Sequence, residues 1–338
     1  MVPMLCLRPG CGEITPLTWD RVLDVWVFDP WMCGVLVLLA AGYGYGVRQR
    51  LRRGVPWPVG RSVAFGAGLA MFALAVFSFV AGYSLTVFWV RALQNVLLLM
   101  TVPMLLAFGA PVTLLVEETG RFGARCRALI GSRPMRVLMF PAVVSALLLV
   151  TPYLLYFTGW YELTLTNAFF DESLHVELVA VGFLYFWSRA RLDPVPHAYP
   201  HMISVMITTI ENIADAVLAV VLWLDKGLVA GHYYTALNMP WVSSPQWGYS
   251  PLHWAQALGG GVFMVVGDVC SLPFLGALWT WLRREESAAD RDEQDLLVPA
   301  AATSGDRADA EMFEPWWLHD SRFAMRFGGP TDAEGPED

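Results

Sequence analysis

The chain has 338 residues, 56% of them hydrophobic and only 15% charged, with a mean hydropathy of +0.48. This composition excludes an ordinary soluble domain and describes a chain whose solvent is partly lipid. The formal net charge of −8 rests largely on acids near the C-terminus, so it belongs to no single surface and gives no footing for nucleic acid.

In chain order, residues 1–27 read as an extracytoplasmic N-terminal segment. It holds Cys6 and Cys11 in "CLRPGC", the one close pair among five cysteines, and an unstructured segment is preferred there to a metal or disulfide pair. No short apolar core with a small-residue cleavage site precedes them, so a cleaved signal peptide is not expected.

About seven stretches then reach the roughly 20 apolar residues that a bilayer crossing needs. They are Trp31–Val47, Ser62–Gly82, Leu85–Phe108, Met135–Phe157, Leu174–Trp187, Ile203–Leu224 and Leu252–Leu282. Arginine gives them a direction. Arg48, Arg50, Arg52, Arg53 and Arg61 fill the first loop, and Arg121, Arg125, Arg127, Arg133 and Arg136 the third. Arg189 and Arg191 follow the fifth stretch, and Arg283 and Arg284 the last. The alternate loops are nearly free of basic residues: Thr158–Phe170 has none and Asp225–Ser250 only Lys226. Because cytoplasmic loops hold the excess of positive charge, the N-terminus is expected outside and the C-terminus in the cytoplasm. The expected fold is an all-α integral membrane protein of the bacterial cell membrane, a multi-pass bundle of about seven transmembrane helices over 28–284.

Trp19, Trp26, Trp31, Trp57, Trp160, Trp187, Trp241 and Trp247 fall near the predicted boundaries, as headgroup-level anchors do. Pro103, Pro141 and Pro152 fall within stretches and are expected to kink them. Residues 285–338 are acidic and rich in Gly, Pro and Ala, as in a disordered cytoplasmic tail. One aromatic cluster, "MFEPWWLHDSRFAMRF", interrupts that tail and is expected to rest on the membrane surface.

Ionisable groups inside a membrane are costly and usually face a partner. Three pairs share one spacing: Arg91 with Asn95, Asp171 with His175, and Glu211 with Asp215. Residues four apart lie on one helix face, so three helices can present polar stripes to a common, outward-opening interior that Gln256 and Asp268 could join. One reading pairs Arg91 with Asp171, Glu211 or Asp215 as polar glue between helices. A second places a cation, with copper as a transient guest, at His175, Asp171, Glu211 and Asp215. One arginine cannot neutralise all the acids, and imidazole suits transition metals. A third uses the same acids to relay protons or a divalent cation, as a transporter or channel, with Pro103 and the glycines Gly259 to Gly261 leaving room for a broken helix. His197 and His201 read as residues of a solvated inner loop, and His232 and His253 as lying outside or near the outer boundary. An acid–base pair of His175 with Glu211 or Asp215 has no nucleophile motif, phosphate loop or cofactor box beside it, so no catalytic residue is expected and the protein is not read as an enzyme.

Several stretches together resemble the cytochrome c oxidase assembly factor CtaG family. They are "FDPW" before the first span, "PW" at Pro56–Trp57, "LLLMTVPMLLAFGAPVTLL", "LDPVP" after the fifth span and "SPLHWAQALGGGVFMVVGD" in the seventh. The resemblance runs from about Phe28 to Arg284. It implies a seven-span protein needed to make an active haem-copper oxidase, helping copper reach the catalytic subunit or holding nascent oxidase. It also implies partners, namely that subunit and the lipid bilayer. In the family the third helix usually carries two histidines four apart, where this chain has Arg91 and Asn95. Asp171 stands for the first histidine of a second such pair and His175 keeps the other. A further histidine position falls at or near Glu211, and the acid of the seventh helix around His253 to Gln256.

Overall fold

The computed structural model describes residues 17–117, 121–190, 201–225, 227–237 and 251–302, and no strand occurs among them. Cys6, Cys11, His197, Trp241, Trp247, the aromatic cluster of the tail and the side chain of His201 lie outside the described residues. The chain divides into two units, Met1–Trp281 and Leu282–Asp338.

The first unit opens with a short helix α1 (Trp19–Asp24) and the long α2 (Pro30–Arg52). The "FDPW" stretch has a local job: Asp29 accepts from the N–H groups of Trp31 and Met32 at 2.9 and 3.2 Å, and Pro30 takes the first turn, where no N–H is needed. Helix α3 (Val59–Phe77) breaks at Ser78, whose hydroxyl donates back to the Leu74 carbonyl, and α4 (Phe79–Tyr83) resumes it. Next come α5 (Phe88–Val96), a π turn (Leu97–Thr101) and α6 (Val102–Phe108), followed by the short α7 (Pro111–Glu117), α8 (Arg121–Ile130) and α9 (Arg133–Leu138). Helix α10 (Pro141–Phe157) begins on Pro141, so that proline starts a helix rather than kinking one. The short α11 (Trp160–Thr166) precedes α12 (Ala168–Ala190), which Asn167 caps by accepting from the Phe169 N–H at 2.9 Å. Helices α13 (His201–Leu224), α14 (Gly231–Leu237) and α15 (Pro251–Ala302) complete the order.

All seven apolar stretches fall on helices. By length and composition three helical segments can cross a membrane, Pro30–Arg52, Val59–Tyr83 and Phe88–Phe108, and α10 with α11, bent by 71°, would make a fourth. Helix α12 is long enough, but Asp171, Glu172, Glu177 and Arg189 dilute its apolar run. The protein is a membrane protein, and its outer faces agree with that. Trp31, Val37 and Leu38 on α2, Ile210, Ile213 and Val217 on α13, and Val265, Val269 and Leu272 on α15 are all exposed. Trp19, Trp26 and Trp31 are exposed as expected of anchors. Trp57 and Trp187 are buried instead, because Trp57 donates to the Tyr43 hydroxyl and Trp187 packs with Val112 and Met139. Helix α15 runs unbroken through Gly259–Gly261 and on to Ala302. The break for which Gly259–Gly261 left room does not occur in this helix. The Ala-, Glu- and Arg-rich residues after Leu282 are good helix formers, and within the second unit the Ser287 hydroxyl donates to the Arg283 carbonyl.

At the centre of the first unit, α12 crosses the π turn. Pro103 has no N–H to give the Leu99 carbonyl, and the chain responds with a wider turn in which the Val102 N–H reaches the Leu97 carbonyl. A Cβ on Gly182 would land on the Leu99 carbonyl oxygen and the Pro103 ring. Glycine thus lets two helix backbones meet where Pro103 exposes a carbonyl. Gly260 does the same for α15 against α13, facing the Ala219 carbonyl, while Gly259 makes room for the Phe88 ring. Gly182→Val is expected to destabilise the protein by about 1–3 kcal/mol or more. The check is its melting temperature in detergent, and an unchanged value would mean that α12 does not sit this close.

Candidate functional site

Helix α5 begins the site. Its Arg91 side chain is 0% exposed, and its Nη2 donates to Asp171 Oδ1 on α12 at 2.5 Å. Nη1 donates to Gln94 Oε1 at 3.0 Å and lies 3.5 Å from His175 Nε2, which is itself 3.5 Å from Asp171 Oδ1. Gln94 passes the network on to the Ala75 carbonyl at 2.9 Å, and Asn95 donates to the Tyr156 hydroxyl at 3.1 Å. Of the partners the sequence left open for Arg91, the fold selects Asp171. The guanidinium keeps its charge at any accessible pH, so the facing carboxylate makes the cluster a closed ion pair.

An aromatic layer adjoins it. Phe88 lies 5.6–6.2 Å, centroid to centroid, from Tyr156, Tyr161 and Tyr234, and the hydroxyls of Tyr161 and Tyr234 are 2.9 Å apart. Tyr161 comes from α11 and Tyr234 from α14, so two short connecting helices close over the Arg91 pair. The sequence reading treated both segments as plain loops.

Glu211 belongs to a different cluster. Its Oε1 accepts from Arg189 Nη2 at 2.9 Å and its Oε2 from the Tyr185 hydroxyl at 2.6 Å. Arg189 also donates to Ser145 at 2.7 Å and stands 4.0 Å over the Tyr185 ring. Both side chains of the pair are only 2% exposed. Arg189 was counted among loop arginines, and the structure corrects that: it is a second buried cation, and it removes much of the charge imbalance argued from Arg91 alone. Asp171 and Arg189 stand at opposite ends of α12, about 27 Å apart along its axis. The polar residues therefore form two separate clusters instead of one interior stripe.

The remaining predicted residues are elsewhere. Asp215 is half-buried within electrostatic reach of Glu211 and Asp268, not of the Arg91 pair. Gln256 clamps the turn after α13: its amide accepts from the Val229 N–H at 2.8 Å and donates to the Gly227 and Leu222 carbonyls at 3.0 and 3.3 Å. His232 is exposed and His253 half-buried. Sequence reasoning missed Arg189, Tyr185, Gln94, Tyr161 and Tyr234. The signal for the first two was the four-residue spacing of Tyr185 and Arg189, which sets the cation on the ring's face.

The model of the cytochrome c oxidase caa3 assembly factor family matches residues 41–285, well over half of the chain. The chain belongs to this family. Two uncharacterized proteins, of Mycobacterium bovis and Mycobacterium tuberculosis, are each 31% identical to it over 290 residues, covering 82% of this chain and 42% of theirs. An uncharacterized Mycobacterium leprae protein is 24% identical over 283 residues, covering 81% of this chain and 42% of its own. The chain thus spans about 42% of the length of the curated relatives it matches. No solved structure matches it.

For a caa3 assembly factor the first question is whether copper fits. Among the described residues no three His, Cys, Asp or Glu side chains converge as a metal site needs. Asp171 is engaged by a guanidinium, and that same guanidinium lies beside His175, so a metal ion there would meet a fixed positive charge at short range. His175 and Asp171 stand in one cluster and Glu211 with Asp215 in another, so the four do not converge as one site and the donor set does not fit copper.

Proposed function

We propose that the chain is an assembly factor for a haem-copper cytochrome c oxidase that works by holding nascent oxidase in the membrane. The observation that carries this is the family match over residues 41–285. The partner in this reading is the catalytic subunit of the oxidase. The protein acts without turning over a substrate, as a multi-pass protein of the bacterial cell membrane with seven spans, its N-terminus outside and its C-terminus in the cytoplasm. The alternation of arginine-rich and arginine-poor loops supports that orientation. Two buried ion pairs near opposite ends of α12 favour a rigid scaffold over a path for ions, since Asp171 and Glu211 are each neutralised in place.

The test is the amount and the copper-to-haem ratio of cytochrome oxidase purified from cells lacking the gene, with the gene restored on a plasmid as control. The expected result is less assembled oxidase, recovered on restoration, with the remaining enzyme normal in copper. Copper-poor oxidase at normal abundance would replace the scaffold reading with metalation through residues other than the Arg91 cluster. Normal amount with normal copper would remove the protein from oxidase assembly.

A further inference from the structure

We propose that the cleft between α2 and α3 is a binding site for one anionic phospholipid, with Arg48, Arg52 and Ser62 on the headgroup phosphate. The cleft has a volume of about 620 Å³ and runs along α2 from Ala40 to Arg52. That length is about 18 Å at 1.5 Å per residue, close to one leaflet of a ~30 Å hydrocarbon core with the start of its headgroup layer. Its polar lining groups lie toward one end: Arg48 and Arg52, four residues apart on one helix face, and Ser62 at the facing end of α3. Toward the other end the wall is apolar, made by Tyr43, Val47, Phe65 and Leu69.

The wall is pre-formed. The Tyr43 ring stacks on Phe65 with centroids 3.9 Å apart, and the Tyr43 hydroxyl donates to the Gly109 carbonyl and accepts from Trp57 Nε1. A site built before its ligand arrives loses less on ordering. Gly44 and Gly66 keep the cleft open, since a Cβ added at either would meet nothing within 4 Å.

Charge selects the occupant. Of the five arginines of this loop, Arg50 pairs with Glu117 and lies 5.0 Å over the Trp57 ring, Arg53 donates to the Glu117 carbonyl at 2.8 Å, and Arg61 also lies 5.0 Å over the Trp57 ring. Arg48 and Arg52, the two that line the cleft, make no ion pair among the described residues. Two guanidinium groups with matching forks suit a phosphodiester, and basic pockets between spans are where anionic headgroups settle. The apolar wall of Tyr43, Val47, Phe65 and Leu69 gives an acyl chain a surface beside the two arginines.

The experiment titrates the full-length protein in neutral detergent with palmitoyl-oleoyl phosphatidylglycerol and, separately, with the matching phosphatidylcholine, reading the melting temperature. Phosphatidylglycerol is expected to raise it and phosphatidylcholine to leave it unchanged. The Arg48→Gln/Arg52→Gln variant is expected to need about 30-fold more phosphatidylglycerol for the same shift. Gly66→Leu adds bulk on the cleft side, where a Cβ meets nothing within 4 Å, so it should melt normally without lipid and show no shift with it. Arg133→Gln/Arg136→Gln removes the same charge from exposed positions and should keep the full shift. Equal shifts with both lipids, an undiminished shift in the Arg48/Arg52 or Gly66 variant, or an equal loss in the Arg133/Arg136 control would each overturn the site.

Discussion

Replacing Asp171 with Ala is expected to remove most folded protein from the membrane, through a loss of about 3–5 kcal/mol. The reason is what remains behind: Arg91 is fully buried on α5, cannot shed its proton, and pairs with no other carboxylate among the described residues. With total stabilities of about 5–15 kcal/mol, such a loss takes most of the margin. Arg91→Met combined with Asp171→Leu should recover much of the folded fraction, because a buried pair replaced by packed apolar groups is often neutral. Size-exclusion chromatography of detergent-extracted protein reads both. An Asp171→Ala protein that elutes at wild-type yield would mean that Arg91 is not sealed in the core.

Glu211→Ala should do comparable damage at the far end of α12, about 3–5 kcal/mol, by stranding Arg189 beside the Tyr185 ring. The two effects are expected to add. Sites this far apart with no shared partner usually combine within about 0.5 kcal/mol, and what joins these two is the length of α12 and of α10, which gives Tyr156 to one and Ser145 to the other. Melting temperatures of Glu211→Gln, of Asp171→Asn and of the combined protein test this. A combined shift well short of the sum would mean that the clusters communicate, which is how one continuous polar interior would behave.

The helices were legible because each needs a run of apolar residues, and such runs survive in composition: every predicted stretch is largely helical, though three of them are divided between successive helices. What composition could not carry was which faces meet. The spacing of Asp171 and His175 says they share a face of α12, yet the choice of Asp171 over Glu211 or Asp215 as the partner of Arg91 depends on how the helices pack. Arg189 shows the limit from the other side. Charge counting treats every arginine near a helix end as solvated, while this one turns inward to Glu211. Tyr161 and Tyr234 were hidden because α11 and α14 are too short for a periodic signal. The motif glycines and prolines were visible, but their roles were not: Pro141 starts a helix, and Gly260 is a backbone contact rather than a break.

The π turn at Leu97–Thr101 divides one rod into two halves with separate registers. Ahead of it stand Arg91, Gln94 and Asn95, and beyond it Val102 and Leu106, all buried. Each residue of an α-helix advances the face by about 100°, so the extra residue held in the wide turn acts as an angular offset between the polar half and the apolar half. Losing a single residue there would be a rotation more than a shortening. It would swing the Arg91 guanidinium away from Asp171 by roughly a quarter-turn while leaving the contacts of α6 in place. The number of residues in this segment is therefore under a constraint of its own, separate from which residues they are.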